Sequence, residues 1–221
     1  ILSYGMETSF FRFYNSESNK ENVVATATQS VFWSTIGFLV LFLLLRKPIA
    51  AWVGIPEEYI LFTIWILALD ALAIIPFSKI RADKKPLQYA FIKIGNVLIN
   101  LGLNVFFLAF LPKLAASSSQ VFFQTIYVED FQIGYIFLSN LIASGFTLLL
   151  LLPDYFKISW QFDVVLWKKM MRYGSPILIA GIAFAINEHF DKILLDWMHI
   201  PMADIGAYAA CYKIGMFMVL F

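Results

Sequence analysis

Charge and cysteine are both scarce in this sequence. Of 221 residues, 14% are charged and 61% are hydrophobic, whereas about a quarter of the residues in a soluble domain are charged. So few charges could not cover a surface exposed to water, and we therefore expect much of the chain to face lipid. The single cysteine, Cys211, excludes an internal disulfide and a multi-cysteine metal site. Because Cys211 lies in an apolar segment, we expect it to pack as a small hydrophobic residue.

Catalytic motifs are missing as well. The sequence has no glycine-rich loop that would cradle a phosphate, no H-E-x-x-H pair and no nucleophile elbow. We therefore expect neither an enzyme nor a bound cofactor. The basic stretches are short and flanked by apolar runs, which argues against a nucleic-acid partner. The chain opens on Ile1 and closes on MFMVLF, both within apolar runs, so we expect it to be a piece of a longer protein.

Long apolar runs dominate what is present. A helix needs about 20 apolar residues to cross a bilayer, and barrel strands are about half as long and alternate in polarity. The run lengths therefore predict an all-α, polytopic transmembrane bundle with about seven crossings or part-crossings. The runs are 1–14, 23–45, 59–77, 87–111, 131–152, 173–195 and 205–221.

The basic residues are concentrated in alternate loops. Loops 15–22, 78–86 and 153–172 are rich in lysine and arginine, and such loops favour the cytoplasmic side. Arg46 and Lys47 are an exception on the opposite side. Loop 153–172 contains an amphipathic stretch that we expect Asp163 to cap and Gly174 to stop. Its basic face predicts a helix lying on an anionic leaflet, with contact to a substrate phosphate as the alternative.

One predicted helix carries a file of polar side chains. At about 100° per residue, Lys93, Asn96, Asn100 and Asn104 fall within a stripe of roughly 80°. Three amides and an ammonium group are unfavourable in contact with lipid. They either line a water-filled cavity or join this helix to a neighbour by interhelical hydrogen bonds.

Asp70 is predicted to lie at the same depth as Lys93. The helices that carry them are consecutive and antiparallel, and at about 1.5 Å per residue both side chains lie roughly 10 Å inside the cytoplasmic boundary. This matched depth predicts either a fixed ion pair between the two helices or a pair that titrates or responds to substrate.

A second group of charged residues closes run 173–195. Glu188, Asp191 and Lys192 share one sector of the helix with Asn187, and Glu188 to Lys192 is a favourable i,i+4 pair. The two carboxylates either bind a coupling cation, a proton or sodium, or simply mark the helix end.

Further cations lie in the outermost runs. Arg12 and Lys213 give the interior a cationic character with Lys93, as an anionic cargo would require, and Glu7 departs from this pattern. Snorkelling of Arg12 to the interface is the alternative.

Three stretches, in this order, resemble one family. They are YGMETSFFRFYNSE at 4–17, RADKKPLQYAFIKIGNVLINLGLNVFFL at 81–108, and run 162–215, which begins FDVVLWKKMMRYGSP. They are similar to helix two, to the fourth loop with helix five, and to the inner loop with helices seven and eight of the lipid-linked-oligosaccharide and polysaccharide flippases, members of the multidrug/oligosaccharidyl-lipid/polysaccharide exporter superfamily. The matching positions in the last stretch are Gly174, Pro176, Asp191, Gly206, Tyr208 and Lys213.

The resemblance implies a two-lobed exporter-type fold. Residues 1–152 would supply helices two to six of the first lobe, 153–174 the cytoplasmic inter-lobe loop, and 175–221 the start of the second lobe. It implies a multi-pass protein of the bacterial inner membrane that flips polyprenyl-pyrophosphate-linked oligosaccharide for cell-surface polysaccharide assembly, such as O-antigen lipopolysaccharide. The alternatives are a cation-coupled multidrug exporter and a non-transport scaffold of a polysaccharide synthase.

The loop charges make a topology prediction. In a background without Cys211, cysteines introduced at Ser18, Ala82 and Ser159 are expected to resist an impermeant thiol reagent added outside intact cells, because basic loops stay cytoplasmic. A cysteine at Ser118 is expected to react. Labelling of the Ala82 position from outside would contradict this orientation.

Overall fold

The computed structural model describes residues 3–117, 127–128 and 131–217. The ends of the outermost predicted runs and the position of Ser118 lie outside these residues. Within them the backbone forms helices and no strand, which confirms the all-α prediction. The helices are α1 (Met6–Ser16), α2 (Lys20–Val53), α3 (Glu57–Ala82), α4 (Pro86–Val105), a π-helical segment (Phe106–Phe110), α5 (Leu111–Ser117), α6 (Gln132–Phe156), α7 (Val164–Trp197) and α8 (Met202–Phe217).

Among the described residues, four stretches are long and apolar enough to cross a membrane: Lys20–Val53, Glu57–Ala82, Pro86–Ala115 and Gln132–Phe156. Each overlaps one of the predicted runs over nearly its whole length, so these four runs are confirmed as candidate spans. The chain divides into two compact units between Gly174 and Ser175. The first unit holds α1 to α6 and the first turns of α7, and the second holds the rest of α7 and α8.

Helix α2 extends beyond its predicted apolar run. It begins where the Asn19 side chain accepts a hydrogen bond from the Asn22 amide nitrogen at 3.1 Å, which satisfies one of the first free N–H groups. It then continues through Pro48 to Val53. Arg46, an exception to the charge asymmetry of the loops, lies 2.7 Å from the Glu57 carboxylate at the start of α3. Its charge is thereby balanced at this end of the bundle.

Helix α6 is the shared neighbour of α3 and α4. Although α3 and α4 are consecutive, each packs more extensively on α6 than on the other. One small core cluster joins the three helices, with Phe77 on α3, Ile92 on α4 and Leu151 on α6. Consecutive membrane helices need not be the closest partners, because lipid supplies no hydrophobic force that draws helices together.

A larger core joins α1, α2 and the first turns of α7. Met6, Phe10, Val23, Leu166 and Met170 are all buried in this cluster. The apolar face of the predicted amphipathic stretch therefore packs against protein. Its basic side chains, Lys168, Lys169 and Arg172, are exposed.

The start of α7 is capped as predicted. The Leu166 N–H donates to the Asp163 carboxylate at 3.0 Å, and the Asn22 side chain donates to its other oxygen at 3.0 Å. These bonds, the one from Leu166 foremost, hold the pKa of Asp163 below its usual value. The predicted stop at Gly174 is wrong, because α7 runs without a break from Val164 to Trp197.

Gly174 instead serves a close helix contact. A Cβ atom at this position would lie 2.8 Å from the Ser9 Oγ and 3.2 Å from the backbone of Gly5. Ser9 donates a buried hydrogen bond to the Met170 carbonyl at 2.9 Å. Small residues let helix backbones approach closely in membranes, so the glycine is needed for packing rather than for ending the helix.

This contact predicts the effect of adding one methyl group. Gly174→Ala is expected to destabilise the protein by about 1–3 kcal/mol, because the Cβ has no space and the backbone of α1 must shift. Gly145→Ala is the matched control, since a Cβ there meets nothing within 4 Å, and it should be neutral or stabilising. Thermal unfolding in detergent measures both, and equal melting temperatures for the two variants would contradict the close packing.

Candidate functional site

Polar side chains of α3, α4 and α6 meet in one line, here named the polar seam. The seam matters because polar groups within membrane helices are functional candidates. Its members hydrogen-bond in pairs or in a chain. They are Asp70, Asn96, Asn100, Asn104, Asn140, Ser144 and Thr147.

Two bonds of the seam join α4 to α6. The Asn96 Nδ2 donates to the Thr147 Oγ1 at 2.9 Å, and the Asn100 Nδ2 donates to the Asn140 Oδ1 at 3.2 Å. Asn104 extends the chain by donating to the Asn100 Oδ1 at 2.7 Å. Of the two roles considered for the amide file, interhelical bonding is the one that these contacts display.

The α6 members of the seam were not singled out from the sequence. Asn140, Ser144 and Thr147 lie in a run without charge, so a search for charged residues passes over them. Their spacing of four and three residues places them on one helix face. That periodicity within an apolar run was the signal that could have found them.

Asp70 and Lys93 do not form the predicted ion pair. Asp70 accepts a hydrogen bond from the Ser144 hydroxyl at 2.7 Å, so its partner is on α6. The Lys93 ammonium lies 4.6 Å from the centre of the Phe77 ring, a cation–π contact. The prediction assumed that consecutive helices are the closest neighbours, whereas α6 packs along both of them.

The chain of amides ends in an unusual piece of helix. The Asn104 Oδ1 is buried without a hydrogen-bond partner among the described residues, and the π-helical segment Phe106–Phe110 follows directly. π-Helical segments are frequent at functional sites because they displace side chains from regular α-helical positions. The chain of hydrogen bonds thus ends at the Asn104 Oδ1, which can still accept a hydrogen bond.

Other predicted residues of the first unit lie at its surface. Arg12 is exposed, and its guanidinium lies 4.3 Å from the centre of the Tyr173 ring. Glu7 forms an ion pair with Arg81. Neither Arg12 nor Glu7 has a hydrogen bond or ion pair with a member of the polar seam.

The second unit gathers its charged residues by itself. Tyr208 donates to the Asp191 carboxylate at 2.6 Å, and Tyr212 donates to that of Glu188 at 3.1 Å. The Lys192 ammonium lies 3.5 Å from Asp191 and donates to the Glu188 carbonyl at 2.6 Å. Asp191 rather than the Glu188 side chain is therefore its carboxylate partner.

Lys213 completes the predicted residues, and it is exposed on α8. Tyr212, its neighbour in sequence, was not singled out. Its ring lies 4.4 Å from the Lys192 ammonium, so α8 contributes an aromatic face to the group. In the part of the chain that the structure describes, no three His, Cys, Asp or Glu residues are grouped so as to hold a metal ion.

Comparisons with known proteins give this chain no relative: no family model, no curated protein and no solved structure matches it. The amides and hydroxyls of the seam can donate and accept hydrogen bonds. The Lys93 ammonium can attract an anion.

The seam predicts which pairs of residues are energetically coupled. Asp70→Ala and Ser144→Ala should be non-additive, because the two side chains share a charge-assisted hydrogen bond, which is about twice as strong as a neutral one. Asp70→Ala and Lys93→Gln should add to within about 0.5 kcal/mol, because they share no partner. Unfolding of the single and double variants in detergent tests this. A strong coupling of Asp70 to Lys93 with none to Ser144 would contradict the packing of α6.

Proposed function

We propose that this chain belongs to a membrane transporter that moves polyprenyl-pyrophosphate-linked oligosaccharide from the inner to the outer leaflet of the bacterial inner membrane. The support is the ordered resemblance of three stretches to the flippases together with four candidate membrane spans. In this proposal, the unit ending at Gly174 belongs to the first lobe of a two-lobed exporter, and the unit starting at Ser175 opens the second.

The observation that carries the proposal is the position of Lys93 and its lack of a carboxylate partner. It lies within the candidate span Pro86–Ala115, and its side chain is exposed. It forms no salt bridge with any described residue. A charged group in a membrane span is costly unless it is paired or hydrated. A diphosphate group is the kind of partner that would satisfy this ammonium, whereas a cationic drug would be repelled.

The polar seam supports the same function by fixing α4. Its bonds to α6 hold the helix face next to Lys93, so the ammonium is presented on a rigid element. Arg12, which is exposed, would add to the positive potential that attracts the cargo. The amide chain that ends at Asn104 offers hydrogen bonds to sugar hydroxyls.

A cation-coupled exporter is the second candidate. It is favoured by Glu188 and Asp191, whose carboxylates are each held by a tyrosine of the next helix. Such carboxylates could exchange a proton or bind sodium during transport. The two candidates differ in the sign of their cargo, and a transport assay can therefore separate them.

The proposal predicts that charge at position 93 matters for transport and little for folding. Lys93→Gln is expected to reduce flipping of a polyprenyl-pyrophosphate-linked sugar at least about tenfold, because one charge-assisted contact to phosphate is lost. Lys93→Arg should retain most of the activity. The measurement is flipping of a fluorescent lipid-linked sugar by the intact protein in proteoliposomes, with thermal stability recorded for each variant.

Lys113→Gln is the matched control, since it removes the same charge from the other end of the same span. It should leave flipping within about twofold of the parent protein, because at about 1.5 Å per residue it lies roughly 30 Å along the helix from Lys93. Full activity of Lys93→Gln would overturn the proposal. Export of cationic dyes in place of the lipid-linked sugar would favour the second candidate.

A further inference from the structure

The turn between α3 and α4 borders an open, mostly apolar recess of about 430 Å³. Its lining residues are Arg81, Lys84, Pro86 and Tyr89, none of which is acidic. The turn joins the candidate spans Glu57–Ala82 and Pro86–Ala115. A recess at this place would lie at the height of lipid headgroups, because the apolar parts of both spans end there.

Arg81 is held in a defined position at the recess. Its guanidinium lies 4.8 Å from the centre of the Phe11 ring and 5.6 Å from that of Tyr89, and it also contacts Glu7. Two aromatic faces and a carboxylate restrict its rotamers. A preorganised guanidinium loses less entropy when it binds an oxyanion.

Lys84 occupies a backbone position that favours glycine. Its φ is 55°, in the left-handed region where a Cβ atom is disfavoured. The Lys84 N–H donates to the Arg81 carbonyl at 3.1 Å and the Lys85 N–H to the Ile80 carbonyl at 3.1 Å, which is the Schellman pattern of a helix end. Glycine would suit this turn better, so the lysine side chain is present at a cost to folding.

The carboxylates near the turn are already engaged by other residues. Glu7 pairs with Arg81. Asp83 accepts from the Tyr14 hydroxyl at 2.6 Å and lies 3.9 Å from the Lys85 ammonium. Lys84 forms no salt bridge within the described ranges. No carboxylate among the described residues therefore compensates the charge of Lys84, a residue that lines the recess.

We propose that this recess binds a phosphate-bearing anion. Lys84 and Arg81 supply charge-assisted hydrogen bonds to the phosphate oxygens, and Pro86 with the Tyr89 ring forms the apolar part of the lining. The phosphate comes either from a lipid headgroup or from free pyrophosphate, which present the same chemistry. The inference goes beyond the transport proposal, because it holds whether or not the bound phosphate belongs to the transported lipid.

Lys84→Gly separates a binding role from a structural one. The glycine keeps the left-handed turn, so the melting temperature should be unchanged or higher. Affinity for the anion should fall at least about tenfold, because one charged donor is lost. Binding of radiolabelled inorganic pyrophosphate is measured with the intact protein in detergent. Binding of phosphatidylglycerol is measured in parallel with the protein in phosphatidylcholine nanodiscs. Lys84→Asn, which also tolerates this backbone, repeats the test if the glycine variant is poorly expressed.

Lys157→Gln is the control for general surface charge, since Lys157 is an exposed lysine of the other basic loop and lies outside its amphipathic stretch. A loss confined to the Lys84 variants supports the site, and the probe that is lost identifies free pyrophosphate or lipid as the source. An equal loss in Lys157→Gln would show attraction by surface charge alone and overturn the proposal. If neither probe bound to the parent protein, the proposal would be overturned as well. Because neither readout involves flipping, failure of this site and failure of the transport proposal are distinguishable.

Discussion

The hydrogen bonds between α6 and its two neighbours are the interaction on which the first unit depends. Lipid chains are as apolar as leucine, so burial of apolar side chains does not decide which membrane helices become partners. Close packing and interhelical hydrogen bonds between polar side chains do. Asn96 on α4 donates to Thr147 on α6, and Ser144 on α6 donates to Asp70 on α3. These bonds, made from positions about one turn apart on one face of α6, make α6 the shared partner of α3 and α4.

The packing of α6 also determines which charged group remains without a counter-ion. Because Ser144 is the partner of Asp70, the carboxylate of α3 does not neutralise the ammonium of Lys93. Phe77 takes the place of a counter-ion by presenting its ring face to Lys93, a contact that stabilises a cation by about 0.5–2 kcal/mol while leaving its charge in place. A lysine stabilised in this way stays available to an anion. The structural bonds of the seam and the proposed cargo contact are therefore consequences of one packing choice.

The helices were predictable because bilayer thickness imposes a minimum length on each apolar run. The partners of each helix were not, because hydropathy records how apolar a run is and not which face meets which neighbour. Asp70 and Lys93 were matched by depth along consecutive helices, and α6 satisfied Asp70 instead. The sequence predicts a stop at Gly174 because glycine commonly follows the end of a helix. In α7 it permits the close approach of Gly5 instead. The spacing of the amides on α4 predicts that they share one helix face. Their partners on α6 lie in a run that was noted only for its lack of charged residues.

In the basic turn between α3 and α4, a positive charge can have two roles: it can orient the chain in the membrane, or it can bind an anion. As a signal for orientation, each lysine or arginine of a short loop counts equally. In the folded turn the cations differ. Arg81 is paired with Glu7 and Lys85 lies near Asp83, whereas Lys84 forms no salt bridge with a described residue and adopts a backbone conformation suited to glycine. Orientation alone would be served by a lysine at any neighbouring position with relaxed backbone. A strained residue that the turn does not require is better explained by what its side chain reaches, and here that is the recess.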